Sequence, residues 1–227
     1  ASSTASCPSA RSWFGVDLSA TAAGSLFDNT IFRYGGKFYN GQMQKRANLS
    51  VEGVSPDITN SIFEYAGQYG LLLGNSSSTA SRNIFRNNKE NFASCGVSAS
   101  GGAPDIRENT FLSNHRGLCL SSTGASVRDN TFTRNLSDAI ENGGYFSGVL
   151  SRNGGSGNGR NAIVINGTIA VPGGSVSLAP NDLPYVTNYG MTVAASSTLI
   201  IEPNVTYKFK DGLTQIFGSL LVRGPAL

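Results

Sequence analysis

The sequence has few of the residues on which metal sites, catalytic centres and nucleic-acid interfaces usually depend. Its 227 residues include one His, one Trp, two Met and three Cys, and charged residues make up only 14%. The net charge is +3, and the basic residues are scattered rather than clustered, which argues against a surface that follows nucleic-acid phosphates. The cysteines do not have a zinc-type spacing, so we expect no metal and no cofactor.

Long apolar runs are missing as well. A helix that spans a membrane needs about 18 consecutive apolar residues, and no such stretch occurs, so we expect no membrane span. The first ten residues, ASSTASCPSA, have neither the basic nor the apolar region of a signal peptide, so we expect any such peptide to have been removed or to lie elsewhere. The 28 glycines and many Ser, Thr and Asn residues are typical of a β structure with many corners.

Five segments of the chain repeat one pattern at intervals of 21 to 31 residues. An apolar residue stands five positions before each Phe, and an Asn lies between the two. The phenylalanines are Phe32, Phe63, Phe85, Phe111 and Phe132, and the asparagines are Asn29, Asn60, Asn83, Asn109 and Asn130. Repeats of this length, with strands too short to bury a face alone, indicate units that stack on one another.

Each repeat contains two short strands on either side of the Asn and a third strand after a polar loop. Because equivalent strands of successive coils run in the same direction, they must pair in parallel, and the crossover rule makes the winding right-handed. The sequence therefore predicts an all-β fold, a right-handed parallel β-helix of roughly 8 to 10 coils without a capping helix. We expect coils over residues 1–170, a Pro/Gly-rich joint over 171–190, and β-helical strands over 191–227 that continue into a following or neighbouring unit.

The recurring Asn has a structural explanation. A corner between strands needs a residue that tolerates positive φ, and Asn side chains on successive rungs can also bond to one another along the stack. Asn83, Asn109 and Asn130 share one register, while Asn29 and Asn60 are one residue off. Surface loop asparagines are the alternative interpretation.

The cysteines give a less regular signal. Cys95 and Cys119 fall in consecutive coils, but aligning Gly96 with Gly117 pairs Ser98 with Cys119 and leaves Cys95 on a different part of the rung. The alignment therefore favours unlinked thiols, with a disulfide between Cys95 and Cys119 as the alternative. Nothing in the sequence assigns a partner to Cys7.

The last 40 residues resemble a segment of bacterial secreted and surface proteins with right-handed parallel β-helix repeats of the pectate-lyase-like fold. The resemblance lies in Thr198-Leu199-Ile200-Ile201-Glu202-Pro203-Asn204-Val205, then Phe209 and Gly218-Ser219-Leu220, with Asn204 where Gly is usual. The parts that follow in those proteins stand at the other end of this chain, as Trp13-Phe14-Gly15-Val16 and Ile31-Phe32-Arg33-Tyr34-Gly35-Gly36. The resemblance implies a non-enzymatic, secreted or cell-surface unit whose partners are copies of itself or adjacent repeats, end to end. A fragment of a large surface protein, without self-assembly, is the alternative.

Catalysis has one candidate constellation. Three residues before the Phe, successive coils carry Arg82, Glu108 and Asp129, so the two carboxylates are expected about one rung apart. Such proximity could raise a carboxyl pKa and support cleavage of a polysaccharide. The same column is typical of a solvated ion-pair ladder, and the signatures of polygalacturonases are missing. We therefore expect no catalytic residues and a structural, non-catalytic role.

Two tyrosines provide the alternative function. Tyr34 and Tyr65 share a register two residues after the Phe, so their rings should stack on adjacent rungs. Such a pair either stabilises the sheet or forms a platform for sugar, which would make the chain a carbohydrate-binding or adhesion module. Possible partners are thus polysaccharide as well as copies of the chain.

Overall fold

The computed structural model describes residues 8–37 and 47–224 and contains strands and turns without any helix in these residues. The strands are β1 Val16–Leu18, β2 Leu26–Asp28, β3 Ile31–Arg33, β4 Ala47–Glu52, β5 Asp57–Thr59, β6 Ile62–Glu64, β7 Tyr69–Gly74, β8 Thr79–Ser81, β9 Ile84–Arg86, β10 Cys95–Ser100, β11 Asp105–Arg107, β12 Thr110–Leu112, β13 Arg116–Ser121 and β14 Ser126–Arg128. They continue with β15 Thr131–Thr133, β16 Asp138–Asn142, β17 Tyr145–Phe146, β18 Val149–Ser151, β19 Gly154–Ser156, β20 Arg160–Ile165, β21 Gly167–Ile169, β22 Ser175–Leu178, β23 Tyr185–Thr187, β24 Met191–Val193, β25 Thr198–Ile201, β26 Tyr207–Phe209, β27 Thr214–Ile216 and β28 Ser219–Val222.

These strands form four sheets in which every pair is parallel. Sheet A has the order β1-β4-β7-β10-β13-β16-β20-β23-β26, and sheet B has β2-β5-β8-β11-β14-β18-β22-β25-β28. Sheet C has β3-β6-β9-β12-β15-β19, and sheet D has β17-β21-β24-β27. The nine strands of each long sheet make about eight turns. The predicted right-handed parallel β-helix is confirmed.

The third side of the helix changes along the axis. The early coils run through sheets B, C and A, whereas the coils from β20 onward run through sheets A, D and B. Sheets A and B continue through residues 171–190, where β22 and β23 pair with strands on both sides. The segment predicted as a joint is thus part of the same two sheets, and the change of cross-section begins earlier, at β17.

Columns of apolar side chains fill the interior, and each rung contributes one side chain to a column. The five phenylalanines of the repeats stack face to face, with neighbouring ring centroids 5.0, 5.1, 5.1 and 4.6 Å apart. They are buried, and the column ends where Phe132 pairs with Gly155. Burying each Phe stabilises the fold by about 1.5–3 kcal/mol relative to an exposed ring. Stacking thus gives the short strands the apolar burial that a single strand cannot provide.

A ladder of buried asparagines runs along the corner between sheets B and C. The Nδ2 of each donates to the Oδ1 of the next, from Asn83 to Asn109 at 3.1 Å and from Asn109 to Asn130 at 3.0 Å. The ladder continues through Asn153 and Asn181. Asn29 and Asn60 are not members; their coils place Thr30 and Ser61 there.

Positive φ belongs to the residue before the ladder, not to the ladder itself. At this position the φ angles of Asn29, Asn60, Arg82, Glu108 and Asp129 lie between 50° and 58°. The proposal that one Asn both adopts positive φ and bonds along the stack is therefore wrong. The two roles fall on adjacent residues, because a side chain bent outward at positive φ cannot also lie inside the corner.

A second ladder, which the sequence analysis did not identify, lies at the corner between sheets C and A. Here Asn88 donates to Asn114, Asn114 to Asn135 and Asn135 to Asn158, at 2.9, 3.1 and 2.8 Å. Asn158 then donates to Asn161. The signal was present, because Asn88, Asn114 and Asn135 each stand three residues after a core Phe.

Cys95 and Cys119 form a disulfide between β10 and β13. The predicted register is correct, since Ser98 pairs with Cys119, but the expectation of unlinked thiols is wrong. Three residues of extended strand would separate Cys95 from Ser98 by about 10 Å. The Cα atoms of Cys95 and Cys119 are only 6.1 Å apart, so the chain is less than fully extended between Cys95 and Ser98 and Cys95 lies within disulfide range. Cys7 lies outside the described residues.

Candidate functional site

The candidate catalytic constellation forms a column on the outside of the corner between sheets B and C. Arg107 pairs with Arg128 across β11 and β14, so Glu108 and Asp129, which follow them, lie on adjacent rungs. Arg82 Nη1 is 3.6 Å from Glu108 Oε2. The structure thus places the three residues in one column, as the sequence predicts.

Arginines hold both carboxylates of this column. Arg152 binds Asp129 through two contacts, Nε to Oδ1 at 2.7 Å and Nη2 to Oδ2 at 2.8 Å. Arg107 Nη1 lies 3.2 Å from Glu108 Oε1. The hydrogen bonds from Arg152 lower the pKa of Asp129, with the charges of Arg152 and Arg128 acting in the same direction. Proximity to Glu108 therefore does not raise the pKa of Asp129, which is paired with arginine as in the ion-pair ladder rather than poised as a general acid.

A second charged cluster lies on sheet A beside the disulfide, and the sequence analysis did not identify it. Asp138 is buried and is bound by Arg160, while Arg116 Nε lies 2.8 Å from Glu141 Oε2. Burial lowers the pKa of neighbouring His115, the charge of Arg116 lowers it further, and Asp138 opposes both. Each carboxylate here is held by an arginine, so the cluster is an ion-pair network on the sheet surface.

The two tyrosines border a cavity of about 470 Å³, which we call the tyrosine groove. The rings of Tyr34 and Tyr65 stack as predicted, with centroids 5.4 Å apart and planes 18° apart. The groove is also lined by Asn87, by the exposed Lys89 and Glu90, and by residues 8–10. It combines an aromatic wall with donors, acceptors and one charge of each sign.

Neither a metal site nor a membrane span is found in the described parts of the chain. No group of three or more His, Cys, Asp or Glu residues within 8–37 and 47–224 could hold a metal ion. Over the same residues, no helix is long and apolar enough to cross a membrane.

A family model for the right-handed β-helix region matches residues 48–219. The chain belongs to this family. No curated protein and no solved structure matches the chain significantly. Membership of the right-handed β-helix family defines the fold, while function depends on the particular residues on its surface.

The last coil of this right-handed β-helix exposes side chains that occupy core positions. Leu220 pairs with Leu199 in the column that also contains Val176. Leu199 is 1% exposed, whereas Leu220, one rung further, is 45% exposed. Val222 and Ile216 are exposed in the same way at the ends of their columns. Among the described strands, β26, β27 and β28 each have a neighbour on one side only.

Proposed function

We propose that the chain is a structural, non-catalytic unit of an extracellular β-helical fibre or surface protein, in which further coils stack on its last coil. The observation that carries this proposal is the exposure of Leu220 and Ile216, whose positions are occupied on the previous rung by the buried Leu199 and Val193. A further coil would bury these side chains, and the burial would stabilise the stack by about 25 cal/mol per Å² of apolar surface. It would also pair strand edges that otherwise invite association.

The sides of the rod support the same proposal. Arginines bind both carboxylates of the candidate catalytic column, Glu108 and Asp129. Neither carboxylate is therefore free to act as a general acid or base. A polysaccharide-cleaving enzyme needs a general-acid carboxyl that can give up its proton to the leaving group, whereas arginines bind both carboxylates of this column.

The disulfide supports placement outside the reducing cytosol. Disulfides form and persist in secreted and cell-surface proteins and are rare where glutathione keeps thiols reduced. The bond between Cys95 and Cys119 thus fits an extracellular rod. The coil that stacks on the last one then belongs to another copy of the chain or to an adjacent repeat.

Two neighbouring residues of β28 test the stacking. Leu220 and Leu221 are 45% and 43% exposed, but Leu220 continues a buried column, whereas Leu221 pairs with the partly exposed Ile200 on the outer face. We expect the purified chain to associate with rising concentration in sedimentation velocity. Leu220→Glu should abolish this association, because it places a charge where the next coil packs.

Leu221→Glu is the matched control and should associate like the unmodified chain. Circular dichroism checks that both variants are folded. An unmodified chain that sediments as a monomer at every concentration would contradict stacking, and so would equal effects of the two variants.

A further inference from the structure

The tyrosine groove has a feature that the stacking role does not require. Tyr34 and Tyr65 adopt φ angles of 64° and 52°. A bulky aromatic residue is disfavoured there, because its Cβ approaches the backbone, and such positions tend to cluster at functional sites. The next rungs place Asn87 and Ser113 at this corner, with the same sign of φ. Placing an aromatic residue at this corner on two rungs therefore has a conformational cost in the local backbone.

The stack stops at the groove. The register of β3, β6 and β9 puts Tyr34, Tyr65 and Asn87 on consecutive rungs. Because Asn87 has a short side chain, no third ring covers Tyr65 on that side, and Tyr65 is 40% exposed beside the cavity. The open aromatic surface is therefore part of the groove wall.

The charged side chains of the groove are free to bind a ligand. Lys89 and Glu90 are exposed, and neither makes a side-chain hydrogen bond or an ion pair within the described residues. Their charges are opposite, so the lining favours neither an anion nor a cation. The volume of about 470 Å³ lies within the range of about 300–1,000 Å³ that is usual for small-ligand sites.

We propose that the tyrosine groove binds an uncharged oligosaccharide. An aromatic face packs against the apolar C–H face of a sugar ring, and the amide, ammonium and carboxylate of Asn87, Lys89 and Glu90 match the hydroxyl groups at its rim. A charged sugar would be repelled by whichever of Lys89 and Glu90 carries a charge of the same sign. This site adds ligand binding to a rod that, for stacking alone, needs no groove on its side.

Another cavity lined by described residues provides a comparison. It has a volume of about 420 Å³ and is lined by Arg152, Pro180, Asn181, Asp182 and Asn204. It is similar in size and polarity but has no aromatic wall. The proposal therefore predicts that sugar binds at the tyrosine groove and not there.

The test begins with the full chain on an array of neutral and acidic glycans, followed by titration calorimetry with the best neutral ligand. Tyr65→Asn should weaken binding by at least about tenfold. The same variant should keep or raise the melting temperature, because Asn tolerates positive φ and occupies this corner on the next rung. Tyr65→Phe, which keeps the ring, should bind within about threefold of the unmodified chain.

Tyr189→Ala is the matched control, since Tyr189 is 84% exposed and lies outside the groove; its binding should not change. Asp182→Asn in the second cavity should also leave binding unchanged. The proposal is overturned if no neutral glycan binds, if only acidic glycans bind, or if Tyr65→Asn binds normally. A lower melting temperature for Tyr65→Asn with unchanged glycan binding would instead make the pair a structural stack.

Discussion

The buried asparagines show at single-residue resolution how the coils are held in register. Asn109 Oδ1 accepts hydrogen bonds from the backbone N and the Nδ2 of Asn83, at 2.9 and 3.1 Å. Asn109 Nδ2 donates to Ala80 O at 2.8 Å and to Asn130 Oδ1 at 3.0 Å. The side chain therefore uses both donors and both lone pairs. One residue thus links three successive rungs, while the preceding Glu108 supplies the outward bend.

Replacing Asn109 should be costly. Asn109→Ala leaves the backbone N and the Nδ2 of Asn83 and the carbonyl of Ala80 without these partners, and each buried orphan costs about 1–3 kcal/mol. We expect urea unfolding to show a loss of at least about 3 kcal/mol. Thr131→Ala, on the exposed face of the next rung, should change stability by less than about 0.5 kcal/mol. A loss as small as that of the control would show that the ladder does not stabilise the fold.

At the scale of strands and sheets, the sequence predicted what repeats and missed what occurs once. The phenylalanine column recurs in five successive coils and the register of Asn83, Asn109 and Asn130 in three, so alignment of the repeats was enough to find them. The close approach of Cys95 to Cys119 and the replacement of sheet C by sheet D each occur once, and nothing periodic marks them. Strand alignment assumes extended chains, and for this reason it placed Cys95 too far from Cys119.

The candidate sites divide in the same way. Alignment placed Glu108 and Asp129 on adjacent rungs and stacked Tyr34 on Tyr65, because both follow from register. It could not show that Arg152 would bind Asp129, since Arg152 comes from a coil in which the phenylalanine is replaced by Gly155. Nor could it place Lys89 and Glu90 beside the tyrosines, because they belong to a loop of irregular length.

The disulfide joins two adjacent strands of sheet A and closes a loop with a sequence separation of 24 residues. A crosslink of this span stabilises by about 3 kcal/mol, chiefly by restricting the unfolded chain. We expect Cys95→Ser, Cys119→Ser and the double variant to lose this amount in urea unfolding. The three losses should be equal, because each variant removes the same bond. Additive losses in the double variant would contradict a shared bond.

At the scale of the molecule, the β-helix is a short rod whose sides and last coil differ. Nine rungs at about 4.8 Å give a stack about 40 Å long. Its corners are held by two asparagine ladders and its charged columns are paired. The last coil, in contrast, leaves core positions such as Leu220 exposed. In a fold where each coil contacts only its neighbours, these exposed positions are the ones that the proposed stacking of a further coil would cover.

Electron microscopy of the protein as its source organism produces it tests this account most directly. The account predicts slender rods longer than the roughly 40 Å stack of this chain, with an axial repeat of about 4.8 Å. Separate particles no longer than one such stack, with the last coil open to solvent, would contradict it.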